Sequence, residues 1–99
     1  MRQFDVCRLK AQQEQLVVIL QHDTVDGLDT RVVAPLSPHP YRQLIERVRI
    51  PVRLDDGEYV VQLDRMAAIN VRDIGQVRAR LGDYEQSVKN GIDLLLFGV

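Results

Sequence analysis

Two alternating runs face each other across an acidic turn: Ile50-Pro51-Val52-Arg53-Leu54, then Asp55-Asp56-Gly57-Glu58, then Tyr59-Val60-Val61-Gln62-Leu63. Alternation on both sides of an Asp-Gly pair is the signature of a β-hairpin. It commits the middle of the chain to antiparallel sheet. The flanking segments agree: Phe4 to Leu9 and Leu16 to Gln21 surround the polar stretch Ala11-Gln12-Gln13-Glu14 and predict a second hairpin. Its later run, Leu16-Val17-Val18-Ile19-Leu20, is dense in β-branched residues and is expected to be central. Arg31 to Leu36 reads as extended, with Pro35 at an edge or a strand end because proline cannot donate to a ladder. Ile69 to Arg72 predicts one more short strand, and Asp73 to Val77 either continues it or opens a helical turn. Short apolar runs at this spacing suit a small antiparallel barrel better than alternating β-α units.

Two stretches carry helical spacing. Ser37-Pro38-His39-Pro40 cannot be regular structure, and after it Tyr41, Leu44, Ile45 and Val48 share one face of a possible turn or two of helix. From Asp83 a longer helix is expected, with Tyr84, Val88, Ile92, Leu95 and Val99 recurring on the packed side. Asp83 can accept N-terminal N–H bonds and Glu85 suits the positive end of the dipole.

A chain of 99 residues has room for one domain, residues 1–99, burying roughly two-thirds of its unfolded surface. With 45% hydrophobic and 27% charged residues it reads as a folded soluble domain and not as a disordered or membrane-spanning one. A net charge of -1 argues against binding nucleic acid by neutralising phosphates. Met1-Arg2-Gln3-Phe4-Asp5 has no apolar leader core, and the lone Cys7 cannot form an internal disulfide, so the cytoplasm is the expected compartment.

Chemistry-bearing residues are scattered. His22, His39 and Cys7 show no ligand spacing, so neither a metal nor a cofactor is expected. Asp23 and Asp26 read as turn residues bonding their own backbone, and Asp55-Asp56-Gly57-Glu58 as a solvated tip. Arg31 beside Thr30 is the one pairing that could serve a catalytic base or oxyanion, against the plainer reading of a solvated strand flank. The sequence closes on Lys89-Asn90-Gly91-Ile92-Asp93-Leu94-Leu95-Leu96-Phe97-Gly98-Val99, an apolar stretch that reads as a docking device. Lys89, Asn90, Asp93 and Phe97 fall opposite the packed stripe. Phe97 therefore either folds back onto the sheet or is covered by a partner.

Phe4-Asp5-Val6, Gln21-His22-Asp23-Thr24-Val25-Asp26 with Arg31-Val32-Val33-Ala34-Pro35-Leu36, Asp64-Arg65-Met66-Ala67-Ala68-Ile69 with Ile74-Gly75, and above all Lys89 to Val99 together resemble the CcdB family of plasmid-maintenance toxins. The resemblance spans nearly the whole chain and is weakest over Ser37 to Arg49. It implies a mainly β fold with a C-terminal α-helix, an SH3-like antiparallel barrel assembled as a homodimer. His22, Ile69, Phe97 and Val99 would lie at or near the dimer interface.

It also implies the toxin of a type II toxin-antitoxin system. Such a toxin binds the DNA gyrase A subunit and traps the gyrase-DNA cleavage complex. Thr24, Val25, Asp93, Leu96, Phe97, Gly98 and Val99 correspond to the contact positions. A cognate CcdA-like antitoxin would neutralise it, with Arg8, Lys10 and Arg47 as contacts, and DNA would be reached only indirectly, through an autoregulatory toxin-antitoxin complex. No catalysis, cofactor, metal or membrane is implied, and the compartment is the bacterial cytoplasm.

Three contact positions depart from the family pattern. Phe97 replaces Trp, keeping a π-face for an arginine but losing the indole donor. Asp93 replaces Asn, and Thr24 an apolar residue. The outcomes left open are weaker poisoning, poisoning retuned to another gyrase, and a homologue that has lost it. An endoribonuclease of the MazF kind, which shares the barrel and the toxin role, is the alternative from another class.

Overall fold

β2 (Leu16–Ile19) is buried at every residue, so both faces of this strand must be covered. The computed structural model, which describes residues 1–38 and 47–99, builds an antiparallel sheet around it. β1 (Asp5–Leu9) pairs on one side and β3 (Thr30–Pro38) on the other, with Val6 opposite Val18 and Val33 opposite Ile19. β4 (Arg49–Leu54) and β5 (Gly57–Gln62) form the expected hairpin, and β6 (Ala67–Asn70), β7 (Ile74–Arg80) and the helix α1 (Glu85–Phe97) follow. The spatial order is β4-β5-β3-β2-β1-β7, with β6 also paired to β3.

The pleat divides the core in two. Leu16, Val18 and Leu20 join Phe4, Val6, Leu36, Val61, Leu63 and Val88 on the helix side. Val17 and Ile19 join Cys7, Val33 and Ile74 on the other.

Two expectations about the strands are corrected. Pro35 lies inside β3, not at its edge or end. Val33 is the last residue paired to β6 and Leu36 the first paired to β5, and by alternation the missing N–H of Pro35 falls in that gap. Asp73 to Val77 neither extends β6 nor opens a helix: Val71–Asp73 makes a 3-10 turn, and β7 then runs seven residues against β1. Its first residue, Ile74, is buried and Val77 is exposed, so β7 carries no clear apolar period.

The closed barrel is also corrected, because among the described residues β4 and β7 end the sheet without pairing to each other and the sheet is open. Side chains bridge the seam. Asp56 is ion-paired with Arg78 and accepts the Tyr59 hydroxyl at 3.1 Å, so Asp56 is not a merely solvated tip. Tyr84 Oη accepts the Arg53 N–H at 3.0 Å. With Pro51 offering no donor, the free edge of β4 is blunted against further pairing.

A 3-10 turn, Gly82–Tyr84, leads into α1, and Asp83 makes no side-chain cap. Val88 and Gly91 are buried, while Tyr84 and Ile92 pack at the margin of the core. Gly91 is required by closeness: a Cβ there would stand 2.7 Å from the Arg47 carbonyl and 2.5 Å from Leu63 Cδ1. Beneath this contact Arg49 grips Asp64 with two hydrogen bonds, Nε to Oδ1 at 3.1 Å and Nη2 to Oδ2 at 2.6 Å. The guanidinium holds the Asp64 carboxyl below its ordinary range.

The predicted stripe stops short. Leu95 and Val99 are exposed, and the helix ends at Phe97, where Gly98 takes a left-handed conformation (φ 76°) and returns its N–H to the Leu94 carbonyl at 2.9 Å. Of the short helix expected over Tyr41 to Val48, residues 41–46 lie outside the described residues, as does His39, and Arg47-Val48 form a turn. No helix among the described residues is long and apolar enough to cross a membrane.

Candidate functional site

The last turn of α1 carries an apolar cluster that nothing in the described chain covers. Leu96, Phe97 and Val99 are 59%, 73% and 87% exposed, so Phe97 does not fold back onto the sheet. Asp93, three and four residues before Leu96 and Phe97, shares their side of the helix and is also exposed. A cluster of this kind on an otherwise well-packed surface marks an interaction site.

A second exposed element is the loop 21–29 between β2 and β3. Thr24, Val25 and His22 are all exposed on it, and Leu28 is exposed beside them. The loop is polar in composition but ordered by specific bonds. Thr24 donates its N–H to His22 Nδ1 at 3.1 Å, and Val25 donates its own to the His22 carbonyl at 3.0 Å. Gln21 spans the base, with Nε2 donating to the Val25 carbonyl at 2.6 Å and Oε1 accepting the Val32 N–H at 3.2 Å. Asp23 departs from the expected turn role: it accepts the Gln3 N–H at 2.7 Å and faces Arg2, which together lower its pKa. Ile69, half-buried on β6, stands opposite Arg31 and packs on the second core.

Arg31 is not a merely solvated strand flank: it lines a pocket of about 310 Å³ with Arg2, Gln21, His22, Asp23 and Asp26, and backbone carbonyls hold its side chain. Its guanidinium donates to three carbonyls, Leu28 at 2.7 Å, Thr30 at 2.8 Å and Asp26 at 3.1 Å. Sequence reasoning missed this clip. The only signal was a lone arginine following an Asp-Gly-rich loop.

The three cations expected to meet an antitoxin are not brought together. Arg8 and Lys10 line one groove of about 470 Å³ with Leu9, Gln13, Ile74 and Gln76. Arg47 lines another, about 410 Å³, with Ile50, Pro51, Tyr84, Ser87 and Asn90. No hydrogen bond or ion pair among the described residues joins loop 21–29 to the end of α1. Cys7 is buried, and that burial, with Asp5 nearby, pushes its thiol up and away from the reactive thiolate. Among the described residues no three His, Cys, Asp or Glu side chains converge as a metal site would require.

The family model for CcdB protein matches residues 3–98. Among solved structures, one described as the crystal structure of an Mtb toxin is similar with a TM-score of 0.70 at 27% identity, covering 88% of this chain and 94% of that one. The Mycobacterium tuberculosis toxin MazF-mt6 is similar with a TM-score of 0.70 at 26% identity, covering 93% of each chain.

Proposed function

The chain belongs to the CcdB protein family, and on that premise we propose that it is the toxin of a type II toxin-antitoxin system. In this reading it binds the DNA gyrase A subunit and holds the gyrase-DNA cleavage complex in its broken state. The observation that supports it is the exposure of Leu96, Phe97 and Val99 around the left-handed Gly98. Gly98 ends the helix sharply and sets Val99 apart from Phe97.

Poisoning of this kind needs no base or nucleophile. A ligand with greater affinity for the cleaved state shifts the population towards it, by as much as the difference in its two affinities. Phe97 supplies a π-face for a cation of the target, Leu96 and Val99 supply apolar area, and Thr24 and Val25 add a second contact from loop 21–29. Asp93 brings a charge that favours a basic partner surface and penalises an apolar one.

The same reading makes the protein a homodimer in which His22, Ile69, Phe97 and Val99 lie at or near the interface. Its open sheet is then a variant of the SH3-like barrel with the Asp56-Arg78 seam in place of a closing ladder. An antitoxin would be met at the Arg8-Lys10 groove and at Arg47, and the bacterial cytoplasm is where toxin, antitoxin and gyrase coexist.

The similarity to MazF-mt6 favours a second reading, an endoribonuclease toxin. Against it stands Arg31, which gives three of its five N–H donors to backbone carbonyls. The deciding experiment incubates the purified protein with supercoiled plasmid, gyrase and ATP, and separately with structured and unstructured RNA. Linear DNA after detergent and protease treatment, with intact RNA, is the expected result. Intact DNA and cleaved RNA would overturn it.

A further inference from the structure

Arg31 and Gln21 make an unusual investment in a loop that carries no core residue. Three carbonyls of the loop and its border, at Asp26, Leu28 and Thr30, converge on one guanidinium, and a fourth, at Val25, accepts from Gln21. The far end of the loop is tied as well, since Val71 donates its N–H to the Asp29 carbonyl at 2.9 Å. The apolar side chains so presented, Val25 and Leu28, are 46% and 54% exposed. Holding exposed apolar residues rigid does nothing for the core. It does lower the ordering cost of a contact made later, which is what pre-organisation contributes to binding.

We infer that Arg31 and Gln21 are positioning residues, which fix loop 21–29 in the shape that presents Val25, and Leu28 beside it, to the target. The inference rests on the gyrase reading and deepens it. Leu28 becomes an additional contact, and Arg31 acts through the loop and not on any reacting group. The guanidinium suits the task because its planar fork reaches several carbonyls at once, where an ammonium is a point donor.

The test uses the full chain and two readouts. Amide hydrogen exchange comes first. Arg31→Gln should raise exchange across residues 22–29 about tenfold while β2 and β3 stay protected, and Arg31→Lys should fall between it and the parent. Unchanged exchange in the loop overturns the clip. The second readout is affinity for the isolated gyrase A subunit. Arg31→Gln should weaken it about tenfold, and Val25→Ala and Leu28→Ala by similar factors. In the Val25→Ala, Leu28→Ala background Arg31→Gln should cost little more, because its effect passes through those side chains.

A full additional loss in that background marks a general structural role and overturns the inference. If Phe97→Ala abolishes binding while the loosened loop binds normally, the gyrase reading stands and the positioning role falls. If the parent binds no gyrase A subunit but cleaves RNA, and Arg31→Gln stops cleavage without loosening the loop, the gyrase reading and the positioning role fall together.

Discussion

The two halves of α1 have opposite fates, and composition alone would have assigned them the other way round. The largely polar half, Glu85 to Gly91, is the one seated on the core, and the largely apolar half, Ile92 to Phe97, is the one left mostly open. In the first half Val88 is wholly buried and Gly91 lies so close to Leu63 and the Arg47 carbonyl that no side chain fits. In the second half Leu95, Leu96 and Phe97 are as apolar as anything in the core, and each is exposed. The difference lies in what is underneath. The helix rests on β4 and on residues 63–65, and its apolar stripe continues past the surface it packs on. Helical periodicity reports that a face is apolar; it cannot report whether the protein itself supplies the cover. One end of this helix therefore serves stability and the other is free to serve recognition.

That contrast can be broken most forcefully from below. Leu63 is fully buried against the packed half, and Leu63→Ala should lower stability by about 3 kcal/mol through lost transfer energy and the cavity left behind. For a chain of this size that is a fall in Tm of roughly 15 °C by calorimetry. A loss under about 1 kcal/mol would mean that the helix settles into the gap and is not rigidly seated.

The next effect is electrostatic. Asp64→Asn removes the carboxylate partner of Arg49, whose side chain is 8% exposed, and should cost about 2 kcal/mol at neutral pH. Because the folded-state pKa of Asp64 is depressed, the unfolded chain binds more protons in mildly acidic solution. The contribution is thus present above the ordinary carboxylate pKa and is lost as pH falls through the lower folded value. Urea midpoints measured from neutral pH down into that acid range should converge for parent and variant. Parallel curves would show that the pair adds nothing to the packed half.

Much of this arrangement was legible beforehand, and the exceptions have physical reasons. Both hairpins announced themselves because alternation and turn chemistry are local. The burial of β2 could be read from its β-branched run. β7 was missed because an edge strand such as Gln76-Val77-Arg78-Ala79-Arg80 owes its conformation to β1 and not to its own pattern. Pro35 was misjudged because a strand that changes partner has a gap only the tertiary structure reveals. Phe4 opened the first strand in sequence but takes a left-handed φ of 69°, so β1 starts at Asp5. At the candidate site, the apolar Leu96-Phe97-Val99 group was visible in the residues themselves. The roles of Arg31 and Gln21 were not, since hydrogen bonds to backbone carbonyls leave no periodic trace.

A smaller effect sharpens the contrast at the point of closest packing. Gly91→Ala replaces the poorer helix former with the best one, a gain of about 1 kcal/mol in an exposed helix. Here the added Cβ meets a backbone carbonyl at 2.7 Å, which cannot move aside as a side chain can. Overpacking should outweigh propensity and leave the variant about 1 kcal/mol less stable by urea denaturation. A more stable variant would mean that the helix can lift from the sheet at little cost, and that the packed half resembles the exposed half more than the geometry indicates.

The smallest effect on stability is expected at Phe97, and there the contrast becomes most informative. An aromatic residue removed from a core costs several kcal/mol, but one that touches little loses little, so Phe97→Ala should change stability by less than about 0.5 kcal/mol. Thermal melts at two well-separated protein concentrations add a second dimension. If residues 97–99 pack against a second copy, the parent Tm should rise with concentration, by mass action, and Phe97→Ala should abolish that rise without shifting the low-concentration Tm. If the rise survives the substitution, copies associate elsewhere, and Phe97 stays available in the dimer for a different protein. If instead Phe97→Ala destabilises the protein by several kcal/mol at every concentration, the ring is a core residue after all, and the division of the helix into a packed half and a presented half does not hold.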